Sequence, residues 1–271
     1  MSDTESTTTL NLTVNLASAD AEMRVRVNRI TAFVGASLAS AEALRDPIPN
    51  VGGGLVAISL PETVTADTIR TDYRRWALRA GFRDIADAIS HLLEEYYQAA
   101  LVWSVVQPGG KLQTWGEWIA RFIEPKVKFN RLTLPEKLAA FEKLGVVPDA
   151  RDLKRLKAIN AVRNCLVHRQ GRVESKDTDA SGSLRLIGAK FAVFIHRHGG
   201  GVEEVTSLPV DVAAGERCES KEIEFARAFP LGSQVDIDAE AFSAAGLALI
   251  LAGMRLRDTM ATHGKKLGHL T

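Results

Sequence analysis

"ADTIRTDYRRWALRAGFRDIADAISHLLEEYYQAALVWSVV", residues 66–106, decides the fold class. Its apolar side chains at Ile69, Tyr73, Trp76, Phe82, Ile85, Ile89, Leu92, Tyr96, Leu101 and Trp103 advance mostly by three or four positions. A helix repeats about every 3.6 residues, so this spacing collects them into one wide stripe that faces a core. The aromatic members read as core packing rather than as platforms for nucleic-acid bases. Gly81 is a weak point or a kink, and "QPGG", residues 107–110, ends the helix.

Downstream, three shorter helices announce themselves by their starts. Thr114 precedes Glu117, Thr133 precedes Glu136 and Asp149 precedes Asp152, each by three residues. In such pairs the first side chain accepts from an orphan backbone N–H, and the acid suits the positive helix end. Gly145 and Gly171 supply stops for the second and third of these helices. Beyond Val173 the pattern changes. "ESKDTDASGS" (174–183) is a polar loop, and "SLRLIGAKFAVFIHRHGGG" (183–201) alternates around Gly188 as a hairpin would. "KEIEFARAF" (221–229) reads as a further strand, and a final helix runs from about Asp238 to Lys265.

Upstream the reading is less determined. Residues 1 to about 20 suggest a flexible arm ending in a short strand, and residues 23–44 begin as alternation and become helix-like. "NVGGGLVAISLP" (50–61) is a glycine-rich connection; no Lys-Ser or Lys-Thr pair follows, so it is not a phosphate loop. The expected organisation is an N-terminal arm and accessory segment (1–60), a helical bundle (61–175), a β-containing segment (176–236) and a C-terminal helix packing on the bundle (237–271). The fold class is mainly α, with a small β-hairpin or sheet inserted before the last helix.

Composition narrows the function classes. The chain has 271 residues, 46% of them hydrophobic and 25% charged, as in an ordinary soluble protein with a sizeable core. Cys165 and Cys218 form no paired-thiol motif, so a disulfide framework is not expected and a reducing cytoplasm suits the chain. "MSDTESTTT" lacks the basic start and apolar run of a signal peptide, and the apolar run 241–254 is short for a bilayer, so no membrane association is expected. The net charge is only +1, but residues 111–172 carry 14 Lys/Arg against 6 Asp/Glu, leaving 20 against 27 elsewhere. A basic middle in an acidic frame points to an anionic partner.

The chemistry concentrates in "AVRNCLVHRQG", residues 161–171. Leu153, Leu156, Ile159, Val162, Leu166 and Val167 mark the buried side of that helix. Asn164 and His168 are four apart and nearly aligned, whereas Arg163 lies roughly 140° from His168 around the axis. A straight helix would then not merge them into one pocket without fraying or a second chain. The residue types suit RNA cleavage. Histidine titrates near neutrality and can move protons, arginine offers a fixed charge and a fork for phosphate oxygens, and asparagine can orient or donate. Lys154, Lys157, Arg169 and Arg172 extend the basic character of this helix end. Lys126 and Lys128 do so from "TWGEWIARFIEPKVKFNR" (114–131), where aromatics interleave with cations as in single-strand binders.

"RNCLVHRQG" resembles the signature of HEPN domains (higher eukaryotes and prokaryotes nucleotide-binding), with Arg163, Asn164 and His168 at the matching positions. The resemblance covers roughly residues 66–172, with the final helix as a further element. It implies a HEPN-like antiparallel helical bundle and a metal-independent endoribonuclease without cofactor, of the kind found in toxin–antitoxin and anti-phage systems. It also implies RNA as a partner, an antitoxin or regulatory protein as another, and a homodimer in which one protomer's histidine complements the other's arginine. The alternative is a non-catalytic dimeric module that binds RNA, nucleotide or protein with the same helix end. Neither the first fifty residues nor the β segment is explained by it.

Other candidates read as structural. His196 and His198 would share a strand face, with Glu203, Glu204 or Cys218 as added ligands, but no spacing closes a metal site. Cys165 reads as a small buried thiol. His91 reads as a packed or capped helix histidine, and His263 and His269 sit in a basic tail.

Overall fold

In the computed structural model the described residues are 14–46, 64–106, 114–206 and 209–270. The glycine-rich run 50–61 and "QPGG" lie outside them. Helices α1 (Leu16–Ala43) and α2 (Ala66–Val105) pair first, and α3 (Trp115–Trp118) continues through a π-helical turn (Ile119–Ile123) into α4 (Glu124–Asn130). Then come α5 (Leu134–Lys143) and α6 (Ala150–His168), strands β1 (Ser183–His196), β2 (Val202–Glu204) and β3 (Arg217–Pro230), and α7 (Ala239–Lys266). The protein is mainly helical with a small antiparallel sheet, ordered β2-β1-β3.

The expected stripe of α2 is the spine of the core. Phe82, Ile85, Ile89, Leu92, Tyr96 and Trp103 are all buried along it. Three of its predicted members are not: Ile69 and Tyr73 are only partly buried and Trp76 is 60% exposed, with Tyr73 stacked beside it at 5.8 Å between ring centroids. The three-to-four spacing is shared by the core face and by the groove next to it, so periodicity alone misassigned the stacked pair.

Helix α7 lies between the other elements, touching α1, α2, α6 and β1. It can do so because Ala241, Ala244, Ala245, Ala248 and Ala252 are buried and small enough for close approach on several sides. By length and composition α7 is apolar enough to cross a membrane, yet 56% of its most apolar window is buried inside the fold. Asp238 caps it by accepting from the Ala241 N–H at 2.8 Å.

Gly188 is not the hairpin turn that the sequence pattern indicates. It lies inside β1, which pairs with β3 from Ser183↔Pro230 to His196↔Arg217 without interruption. A Cβ at Gly188 would meet the Ala244 carbonyl carbon and oxygen at 2.8 Å and its Cβ at 2.9 Å. The glycine therefore marks where the sheet presses on the α7 backbone. Backbone cannot swing aside, so Gly188→Ala is expected to destabilise the protein by about 1–3 kcal/mol in urea unfolding.

The N-terminal expectation is also corrected. Asn15 caps α1, accepting from the Ser18 N–H at 3.0 Å, so residues 16–20 are helix; the rest of the expected arm, residues 1–13, lies outside the described residues. Met23, Val27 and Val34 bury against α2 and α7, and that packing overrides the strand-like alternation of Arg24 to Val27. Asp20, fully buried on α1, is held by Arg24 at 3.2 Å and Arg257 at 3.4 Å.

Of the expected caps, Thr114 accepts from the Glu117 N–H, and Glu136 accepts from the Thr133 N–H at 2.8 Å. Asp149 caps α6 through the Arg151 N–H instead. Asp152 serves another purpose. It is buried and takes a two-bond clamp from Arg255 of α7, at 2.6 Å for each. Arg255 also reaches Glu222 of β3 at 2.9 Å, and Glu222 pairs with Arg155, which is 1% exposed. This network ties α6, β3 and α7 together directly behind the motif helix.

Candidate functional site

Helix α6 runs beside α2 with its final turns facing a cleft of about 320 Å³. Asp87 and Ser90 of α2 form one wall, and Leu132 to Leu134 close one end. Asn160, Arg163, Asn164 and His168 of α6 form the other wall, over apolar Ile89, Leu156, Ile159 and Leu249. All three motif residues line this one cleft within a single chain. The helical angle described above is real, but it concerns the Cα–Cβ directions only. The long Arg163 side chain crosses to α2, which brings its guanidinium to the cleft that His168 also lines.

Asp87 is what draws Arg163 across. Its Oδ1 accepts from Arg163 Nε at 3.1 Å and lies 3.0 Å from Nη2, while Arg163 Nη1 donates to Asn164 Oδ1 at 3.2 Å. Three of the five guanidinium N–H groups are thereby committed, which leaves two for an incoming oxygen. The arginine is oriented rather than free, and Asp87 also offsets much of its charge. His168 is exposed at the cleft rim and has no hydrogen-bond partner among the described residues. Two turns earlier, Asn160 continues the same stripe as Asn164 and His168.

The helix end itself is well defined. The N–H groups of Arg169 and Gly171 both donate to the Cys165 carbonyl, at 3.1 and 3.0 Å. Gly171 has φ of +84°, and Gln170, without a glycine's freedom, has φ of 52°. Cys165 is buried and its thiol donates to the Arg172 carbonyl at 3.3 Å. Burial pushes that thiol's pKa upward, which disfavours the nucleophilic thiolate.

The flanking cations fare differently. Arg169 is turned inward onto Asp177, and Lys154 pairs with Glu224 at 3.0 Å, so neither points into the cleft. Lys157 and Arg172 are exposed, as is Lys128 on α4, whereas Lys126 is half-buried. Val167, expected on the buried side, is 39% exposed. His196 pairs with Glu219 at 2.8 Å, and His198 bonds the Ala214 carbonyl at 2.7 Å. Among the described residues no group of three or more metal-ligating side chains gathers.

Asp87, Ser90 and Asn160 were not anticipated as site residues. Asp87 sits between core positions Ile85 and Ile89, in a polar line with Arg83 and Ser90, a pattern that any solvated helix edge shares. Comparison with protein-family models, with curated proteins and with solved structures finds no match to this chain.

Proposed function

We propose that the protein is a metal-independent endoribonuclease of HEPN type, with the α2–α6 cleft as its active site. The observation that carries this reading is the meeting of an oriented arginine and an accessible, unpartnered histidine in one cleft. In the proposed step His168 takes the proton of a ribose 2′-hydroxyl as O2′ attacks phosphorus. The two uncommitted N–H groups of Arg163 stabilise the added negative charge on the phosphorane. The P–O5′ bond then breaks, the protonated His168 returns its proton to O5′, and a 2′,3′-cyclic phosphate and a 5′-hydroxyl result. Asn164 and Asp87 hold Arg163 in place.

A homodimer, with the His168 of one protomer complementing the Arg163 of the other, is part of this proposal. A toxin or phage-defence role, with a restraining partner and action in the cytoplasm, belongs to the same proposal. One observation favours the alternative of a non-catalytic binding module: the Asp87 carboxylate already occupies part of the arginine fork. The two readings part on a substrate test. With chelator present, an all-RNA strand is cut and the same strand carrying 2′-deoxyribose throughout is bound but intact. Loss of neither or of both strands would remove 2′-hydroxyl attack as the mechanism.

A further inference from the structure

A second groove, of about 260 Å³, opens where Leu166 and Gln170 of α6 meet the N-terminal half of α2. Its α2 wall carries Arg75, Trp76, Arg79 and Arg83, and Asp72 sits at its end. Along α2 these positions lead within one turn to Asp87, and along α6 Leu166 follows Arg163 by three. The groove and the catalytic cleft are therefore consecutive stretches of one furrow between antiparallel helices. We propose that this groove is the binding subsite for the single-stranded RNA flanking the scissile phosphate, with Trp76 as a base-stacking platform and Arg83 as a phosphate contact. The proposal rests on the ribonuclease reading of the adjoining cleft.

Three features support it. Trp76 is the first: the residue is 60% exposed and its ring stacks on Tyr73 at an interplanar angle of 14°, leaving an aromatic surface toward solvent. Base–aromatic stacking needs such a surface and tolerates any sequence. Second, Arg75, Arg79 and Arg83 stand four residues apart in a straight line, an arrangement that destabilises a bare helix by repulsion. Burial and the neighbouring Arg75 charge push the Arg79 pKa below its ordinary value; its Nη2 donates to the Val235 carbonyl at 2.7 Å, and its Nε is buried without a partner. An anion in the groove relieves that crowding. Third, Arg83 has no ion pair or hydrogen bond among the described residues, while Arg75 is held only loosely by Asp72 at 3.6 Å and Asp236 at 3.8 Å.

Fluorescence anisotropy of the full chain with a labelled oligouridylate, in chelator, tests this in the His168→Ala background so that binding is read without cleavage. Trp76→Ala is expected to weaken binding about tenfold, with Trp76→Phe retaining most of it. Arg83→Gln should weaken binding and reduce the slope of log affinity against log salt by about 0.7. In the cleaving protein the same changes raise KM and leave kcat within about twofold, because neither side chain touches the reacting atoms. Unchanged affinity in both variants overturns the subsite while cleavage by the wild type leaves the ribonuclease reading standing. Conversely, affinity lost in both variants, with no cleavage by the wild type, keeps the subsite and sinks the nuclease. A fall in solution mass on Trp76→Ala, with RNA affinity unchanged, would assign the groove to a second copy of the chain instead. Absence of RNA binding by the wild type overturns both.

Discussion

His168→Ala is expected to lower the RNA cleavage rate by about 10²- to 10⁴-fold, the usual worth of a positioned proton-transfer group. Arg163→Ala should cost about 10²- to 10³-fold, as for removal of an electrostatic clamp on a developing charge. The double variant should be no slower than the worse single one by more than a few-fold, because the two side chains act in the same step. Stability separates chemistry from folding here. His168 is exposed and unpartnered, so its variant should unfold with the wild type in urea, within about 0.5 kcal/mol. Arg163→Ala leaves Asp87 at the surface of the cleft, and that carboxylate is 46% exposed, so water takes over its solvation. Cleavage lost with stability kept is the signature of the site.

The second large effect lies behind the motif helix. Arg155→Ala would leave Asp152 with Arg255, and Glu222 with Arg255 and the more distant Arg151 at 3.7 Å, and would empty space around a residue that is 1% exposed. Removing one partner of a buried ionic group costs about 3–5 kcal/mol, enough to leave a protein of ordinary stability marginal. The network also predicts an acid limb. Burial pushes the Glu222 carboxyl upward, but hydrogen bonds and charge from Arg255 and Arg155 outweigh it and hold the pKa at about 2, against an ordinary 4.5. Because the folded value is the lower one, the stabilisation is complete well above pH 4.5 and fades as pH falls toward 2. The gap corresponds to roughly 3 kcal/mol at neutral pH. Glu222→Gln should therefore cost about that much at pH 7 and less than half as much at pH 3. A cost that does not change with pH would mean that Glu222 acts by packing and not by charge.

How far the sequence carried these conclusions differs from element to element. The α2 core stripe, the Thr114, Thr133 and Asp238 starts and the β3 strand were readable because each depends on neighbours in the chain. Gly188 was misread because one residue type serves both a tight turn and a close approach, and only the Ala244 backbone tells them apart. Trp76 was misread because the groove beside α6 shares the helical period of the core. The geometry of the site was legible in kind but not in arrangement. Residues 163–168 contain the chemistry, yet angular arithmetic from Cα directions separated Arg163 from His168. What turns Arg163 into the cleft that His168 lines is Asp87, seventy-six positions earlier in the chain, on a different helix. A lone acid on a solvated helix edge carries no local signal of that pairing. Asp152 shows the same limit, since its capping position conceals a buried bond to Arg255.

The central claim is that Arg163 and His168 form a working site for 2′-hydroxyl attack, and the product ends test it most directly. Single-stranded RNA incubated with the full chain and chelator, then analysed by mass spectrometry, should yield fragments ending in 2′,3′-cyclic phosphate. His168→Ala, folded and still binding RNA, should yield none. Fragments with 5′-phosphate ends, or cyclic ends formed equally by His168→Ala, would contradict it.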